Sequence, residues 1–413
     1  MSILLSRFRE EVSKSKDYRM KNEIERDVAY PTGFLGFDAM NGTVIHVKTD
    51  TMDFQYNSMG IVDGSIVMVI GRSGCGKTTF SIQSGAEIIK PFKTGAIYHD
   101  NIEGGIIQSR LESLTGLSGK ELNEVYLARN SGVTCENVYE RIKMIHDLKM
   151  GSRPDYEYDT GLFDENGEPI FKLEPTVYLL DSLAMLTPDK FADEDELSGQ
   201  MSTTAAAKAN AQLFRRITPM LKAANIIFFV INHITEKVEI NMFAKKKAQL
   251  SFLKQDESLP GGRTPVYLSN LLIRLDDNAK LKESEGFGIK GSIVELTLLK
   301  SRSSAAGNSV NLIFDFNHGF DRDLSMFQLL KEKGYVQGAG AYLYFKDHPE
   351  VKFAQKNFKD KLYENIELQE IFAEVAFECV TDMINKPDSD EAERAKTFNL
   401  ASAVYNMSKI AAA

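Results

Sequence analysis

Gly71-Arg72-Ser73-Gly74-Cys75-Gly76-Lys77-Thr78 is the stretch on which the reading of this 413-residue chain turns. An apolar β-branched run, Ser65-Ile66-Val67-Met68-Val69-Ile70, precedes it, and Thr79-Phe80-Ser81-Ile82 follows as the first turns of a helix. Strand, glycine-rich loop, Lys-Thr and helix in that order make a P-loop. Gly71, Gly74 and Gly76 let backbone N–H groups turn inward without Cβ clashes, and the helix N-terminus adds partial positive charge. Lys77 is placed to reach the β- and γ-phosphates, and the Thr78 hydroxyl to take a position on Mg²⁺. Arg72, Ser73, Cys75 and Thr79 complete the cradle. The expectation is a site for a nucleoside triphosphate.

Working outward, the composition is that of a soluble globular protein, 43% hydrophobic and 26% charged. No stretch approaches the roughly 18 consecutive apolar residues of a membrane span. The N-terminal apolar run is too short for a secretory signal. Cys75, Cys135 and Cys379 show neither metal nor redox spacing, so a reducing cytoplasm is expected. A net charge of −9 opposes any blanket attraction to nucleic acid, so DNA contact has to be local.

Residues 1–29 are expected to form a short amphipathic helical arm, with Ile3, Leu4, Phe8 and Val12 on one face; packing on its own core or on a neighbouring subunit both remain open. Residues 41–60 and 151–174 read as hairpin insertions. Between them the chain alternates strand and helix, with apolar strands at Gly95–Asp100, Val177–Asp181, Ile226–His233, Leu271–Leu275 and Ile293–Lys300. Near-continuous apolar strands alternating with helices imply an α/β core with a mostly parallel sheet covered on both faces. The core is expected over 30–325, with a small C-terminal lobe and charged tail over 326–413. A helix at Ala205–Ala224 is expected to kink or restart at Pro219.

Asp181 ends its strand in a carboxylate, suited to supporting Mg²⁺ from a strand expected next to the P-loop strand. Glu103 follows the strand ending at Asp100 and is placed at the carboxyl edge of the sheet, where a water-activating group is needed. By spacing alone a solvated loop acid is the better reading.

Leu179-Leu180-Asp181-Ser182-Leu183-Ala184-Met185-Leu186-Thr187-Pro188 resembles the Walker B segment of RecA-family recombinases, and Val230-Ile231-Asn232-His233 and Leu299-Lys300-Ser301-Arg302 resemble later strand ends of that family. His233 in place of the more usual glutamine, and the Lys-Ser-Arg triplet, are closer to the tailed-phage UvsX-type recombinases. The resemblance runs over roughly residues 30–345, through Gly338-Ala339-Gly340-Ala341-Tyr342. It implies a RecA-like P-loop core, ATP and Mg²⁺ as cofactors, and a phage-infected bacterial cytoplasm. It also implies that Asp181 supports the metal, that Glu103 activates water, and that His233 senses the γ-phosphate. Lys300 and Arg302 would reach across a subunit interface to a neighbour's ATP, as arginine fingers do. The family's Asp-x-Glu is one residue longer here, Asp100-Asn101-Ile102-Glu103, and Arg110 falls where the family has an adenine-stacking tyrosine.

Two DNA-binding loops are implied. The first, about Lys190–Thr203, is acidic and poorly suited to phosphate. The second, about Ile234–Thr264, interleaves Lys237, Lys245, Lys246, Lys247, Lys254 and Arg263 with Phe243 and Phe252, and Gly261-Gly262 resembles the family's DNA-approaching glycine pair. Charge beside rings suits single-stranded DNA. The implied activity is DNA-stimulated ATP hydrolysis by a helical filament that pairs single-stranded with homologous duplex DNA, helped by single-strand-binding and mediator proteins. A hexameric RecA-fold helicase is the alternative; it needs a preceding helical domain, where 29 residues precede the core. A mediator that has lost the chemistry is a third.

Overall fold

The computed structural model describes residues 27–164, 167–189, 199–236, 248–284, 286–339 and 342–385. Most of the expected N-terminal arm, the acidic part of the first loop, Lys237, Phe243, Lys245, Lys246, Lys247, Gly340 and the charged C-terminal tail lie outside them.

Nine strands form one mixed sheet: β1 (Ile66–Gly71), β2 (Ala96–Asn101), β3 (Tyr126–Arg129), β4 (Thr176–Asp181), β5 (Ile226–His233), β6 (Leu271–Leu281), β7 (Gly291–Ser301), β8 (Ser309–Asp315) and β9 (Gly319–Asp321). The spatial order is β9-β8-β7-β6-β1-β5-β4-β2-β3. Pairings from β6 through β3 are parallel, and those from β6 to β9 are antiparallel. Here the sequence reading needs a correction. Asp181 does not end a strand beside the P-loop strand, because β5 lies between β1 and β4. Strand neighbours are chosen by three-dimensional packing, and chain order does not encode them.

The helices used below are α1 (Leu35–Met40), α2 (Lys77–Ile89), α3 (Gln108–Thr115), α4 (Cys135–Gly151), α5 (Gly199–Ala223), α6 (Thr264–Leu268), α7 (Arg322–Glu332) and α8 (Ile366–Asn385). α5 runs through Pro219 without restarting.

The central strands are apolar throughout because each supplies two cores. Ile66, Met68 and Ile70 of β1 face a cluster with Ile142 of α4 and Phe214, Ile217 and Leu221 of α5. Val67 and Val69 face the other cluster, with Phe80 of α2, Phe37 of α1 and Phe327 of α7. That second cluster continues into Phe358, Ile371, Val375 and Cys379, so apolar packing is continuous into the C-terminal segment. The boundary expected between 325 and 326 falls inside α7.

Hairpins stand where the insertions were expected, Thr43–Lys48 with Asp53–Ser58 and Glu157–Phe163 with Pro169–Leu173. Among the described residues no helix is long and apolar enough to cross a membrane.

Candidate nucleotide-binding site

β1 is wholly buried and runs directly into the Gly71–Gly76 loop, with α2 starting at Lys77. Gly76, the residue before α2, has φ +89°, and a Cβ there would lie 2.8 Å from the Phe320 ring. Both the left-handed backbone and the close ring exclude a side chain. Lys77 Nζ donates to the Gly71 and Arg72 carbonyls at 3.1 and 2.8 Å, so the ammonium is folded over its own loop. Burial lowers its pKa. Cys75 is buried and its Sγ donates to the Arg72 carbonyl at 3.0 Å; burial raises that thiol. Ser73 is exposed at the loop's rim, and Thr79 lies in the first turn of α2.

Parallel register brings four strand ends to one edge: His233 pairs with Gly71, and Asp181 with Asn101. Ligands bind at this carboxyl edge in open α/β sheets. Thr78 Oγ1 donates to Asp181 Oδ2 at 2.5 Å. Asp181 is 3% exposed and its Oδ1 has no partner. Burial raises the Asp181 carboxyl above its ordinary range, and the Glu103 charge adds to this. A hydroxyl beside a buried carboxylate with a free oxygen fits Mg²⁺, which keeps waters and substrate phosphates around one or two carboxylates. Among the described residues no group of three or more His, Cys, Asp or Glu forms a self-sufficient metal site.

After Asp100-Asn101, the Ile102 and Glu103 N–H groups both donate to the Asp181 carbonyl, at 2.7 and 3.3 Å. Glu103 Oε1 then lies 2.5 Å from His233 Nε2. Burial pushes the Glu103 carboxyl up, but the His233 imidazole beside it and the Lys77 charge hold it below its ordinary range. The structure thus gathers Lys77, Thr78, Glu103, Asp181 and His233 from four separate segments.

Other predicted residues stand further out. An Arg110 guanidinium N–H on α3 donates to the Asn317 carbonyl, in the turn between β8 and β9. Lys300 Nζ donates to the Val266, Tyr267 and Ser269 carbonyls at 3.1, 2.8 and 2.7 Å, and Arg302 Nη2 to Tyr267 at 3.2 Å. Both heads therefore rest on the end of α6. Burial, with the Arg302 charge beside it, brings Lys300 down to about 8.

Of the second loop the structure describes the stem. Thr235–Glu236 pairs with Glu257–Ser258. Arg72 of the P-loop reaches Glu236 at 3.3 Å, and Arg274 of β6 grips Glu257 with two bonds of 2.8 and 2.9 Å. Gly261 and Gly262 both have positive φ, and Asn232, one residue before His233, donates to the Pro260 carbonyl at 2.8 Å. Lys254 and Arg263 are exposed. Phe252, expected as a stacking ring, is half-buried against the cluster containing Leu250 and Leu253, because its apolar neighbours draw that turn inward. Sequence reasoning missed Asn232, Glu236, Glu257 and Arg274. A charged residue within an apolar strand, Arg274, was the available signal for the last pair.

No protein-family model matches the chain. It is similar to Protein RecA of Clostridium botulinum, 25% identical over 341 residues that cover 81% of each chain. It is similar to Protein RecA of Legionella pneumophila, 22% identical over 391 residues, 94% of this chain and 92% of the relative. It is also similar to the chromosomal Protein RecA of Lactococcus lactis subsp. lactis, 24% identical over 363 residues, 85% and 79%. These distant relatives, matched over most of the chain, support the RecA family and do not favour the helicase reading.

Proposed function

We propose that this chain is an ATP-dependent strand-exchange recombinase that forms helical filaments on single-stranded DNA and pairs it with homologous duplex DNA. The observation that carries the reading is the convergence of Lys77, Thr78, Glu103, Asp181 and His233 at one sheet edge, beside the stem of the basic second loop. RecA relatives along most of the chain agree with it.

ATP is held by the 71–78 loop amides and Lys77, whose ammonium leaves two loop carbonyls for phosphate. Bound at Thr78 and Asp181, Mg²⁺ supplies neutralisation of phosphate charge. Glu103, kept ionised, orients the attacking water and takes its proton. His233 exchanges Glu103 for a γ-phosphate oxygen, and that movement passes through Asn232 to Pro260 and the glycine pair. Hydrolysis reverses it and releases DNA. Lys300 and Arg302 complete the site on a neighbouring protomer. His233 and the Lys300-Ser301-Arg302 triplet favour the UvsX-type branch.

The test is ATP turnover by the wild type and Lys77→Ala, each with and without single-stranded DNA, alongside electron microscopy. DNA-stimulated turnover with helical filaments, lost in the variant, is expected. Closed rings that unwind a fork, or no turnover at all, would refute the reading.

A further inference from the structure

Asn41 follows α1 at the mouth of the first hairpin and is 2% exposed. Its Nδ2 donates to the Gly60 carbonyl at 2.5 Å, tying the two ends of the Thr43–Ser58 excursion together. Its Oδ1 faces three hydroxyls, that of Ser301 at the end of β7 at 2.8 Å and those of Ser303 and Ser304 in the turn after it at 3.0 and 3.1 Å. Ser301 Oγ in turn accepts the Ser303 and Ser304 N–H groups, at 3.1 and 3.0 Å. An amide oxygen has two lone pairs, so Ser301 and one of the other two hydroxyls donate to it at a time. One buried amide therefore joins the end of α1, the base of the hairpin and the turn that contains Arg302.

The opposite side of that segment is held by the α6 carbonyls that receive Lys300 and Arg302. Beyond Ser303 and Ser304 lies an open cavity of about 1300 Å³, also lined by Thr43, Asn308 and Lys333. Lys300 and Ser301 are paired with Leu272 and Leu271 in the β6–β7 ladder, and the Arg302 N–H donates to the Asn270 carbonyl at 3.1 Å. On its other side the turn borders open space, and there the Asn41 amide holds its hydroxyls.

We propose that Asn41 is a positioning residue that sets the Lys300–Arg302 segment for action on a neighbouring protomer's triphosphate. The inference rests on the function proposed above and assigns a task to the first hairpin, whose closure Asn41 shares. An amide is neutral and remains buried, so it acts through the placement of the two cations. Sub-ångström placement matters because misplacement by about 1 Å can cost on the order of 100-fold in rate.

The experiment uses full-length protein on single-stranded DNA. Asn41→Ala is expected to lower the DNA-stimulated kcat by roughly 10-fold or more, with KM for ATP within about twofold of wild type. Mixing it with Lys77→Ala protomers, which have an intact Lys300 segment and a disabled P-loop, should raise turnover above the sum of the two alone. Ser301→Ala leaves Asn41 and the hairpin closure in place; should Asn41→Ala not fold, it must show the same rescued loss. A wild-type kcat in Asn41→Ala overturns the proposal. So does a loss that Lys77→Ala protomers do not rescue, while they do rescue the Lys300→Ala/Arg302→Ala double variant. If the double variant is not rescued either, action in trans is itself refuted, and the proposal falls with it.

Discussion

Asp181→Asn is expected to stabilise the nucleotide-free protein and at the same time disable its response to Mg²⁺ and ATP. Asp181 is 3% exposed, accepts one bond from Thr78 and has an unpartnered oxygen. Its carboxyl is raised by burial and by the Glu103 charge. For an acid with a folded pKa above its unfolded value, ionisation opposes folding, and stability falls as pH rises through that window. The penalty is complete at a pH above both values. Asparagine removes the charge and retains an oxygen for Thr78. An unsatisfied buried group costs about 1–3 kcal/mol, more when charged, so relief of about 1 kcal/mol is a conservative expectation. That corresponds to a Tm rise of about 2–4 °C in a large domain. Saturating ligand at 100 times Kd stabilises the wild type by about 2.7 kcal/mol. The variant should gain much less, since a lost metal contact lowers affinity by roughly 10–100-fold. Thermal denaturation near neutral pH, with and without Mg²⁺ and ATP, reads both effects. An Asn variant that is less stable without nucleotide, or that gains as much from Mg²⁺ and ATP as the wild type, would refute the assignment.

Gly76→Ala should destabilise the fold by ~2–4 kcal/mol, summing left-handed strain and overpacking against Phe320, as read by urea denaturation; a wild-type midpoint would contradict the loop geometry. Glu257, gripped by Arg274, is depressed from 4.5 to about 2, so its stabilisation is complete above pH 4.5 and is lost as pH falls toward 2. Glu257→Gln should cost ~2 kcal/mol near neutral pH. The Tm gap between the variant and wild type should close across that acid window, and a gap independent of pH would show that the pair contributes no charge-dependent stability.

Much of the candidate site was legible in one dimension because its pattern is local. Glycine spacing, Lys77 and Thr78 lie within a short stretch of backbone, and apolar runs of four to six residues announce strands buried on both faces. A strand ending in Asp181 or His233 marks itself by the switch from apolar to polar. Lateral order was not legible, since hydrophobicity is the same in every central strand and carries no address; only packing inserted β5 between the P-loop strand and the Asp181 strand. Nor were the bonds that join distant segments, such as Asn41 to Ser301 across 260 positions or Arg274 to Glu257. Asparagine and serine in a turn look alike whether solvated or buried, and burial alone makes their hydrogen bonds obligatory. The sequence by itself determined the glycine-rich loop between a buried strand and a helix, and the α/β class; the tertiary structure decided which residues stand beside that loop, because desolvation and register exist only once the sheet has closed its order.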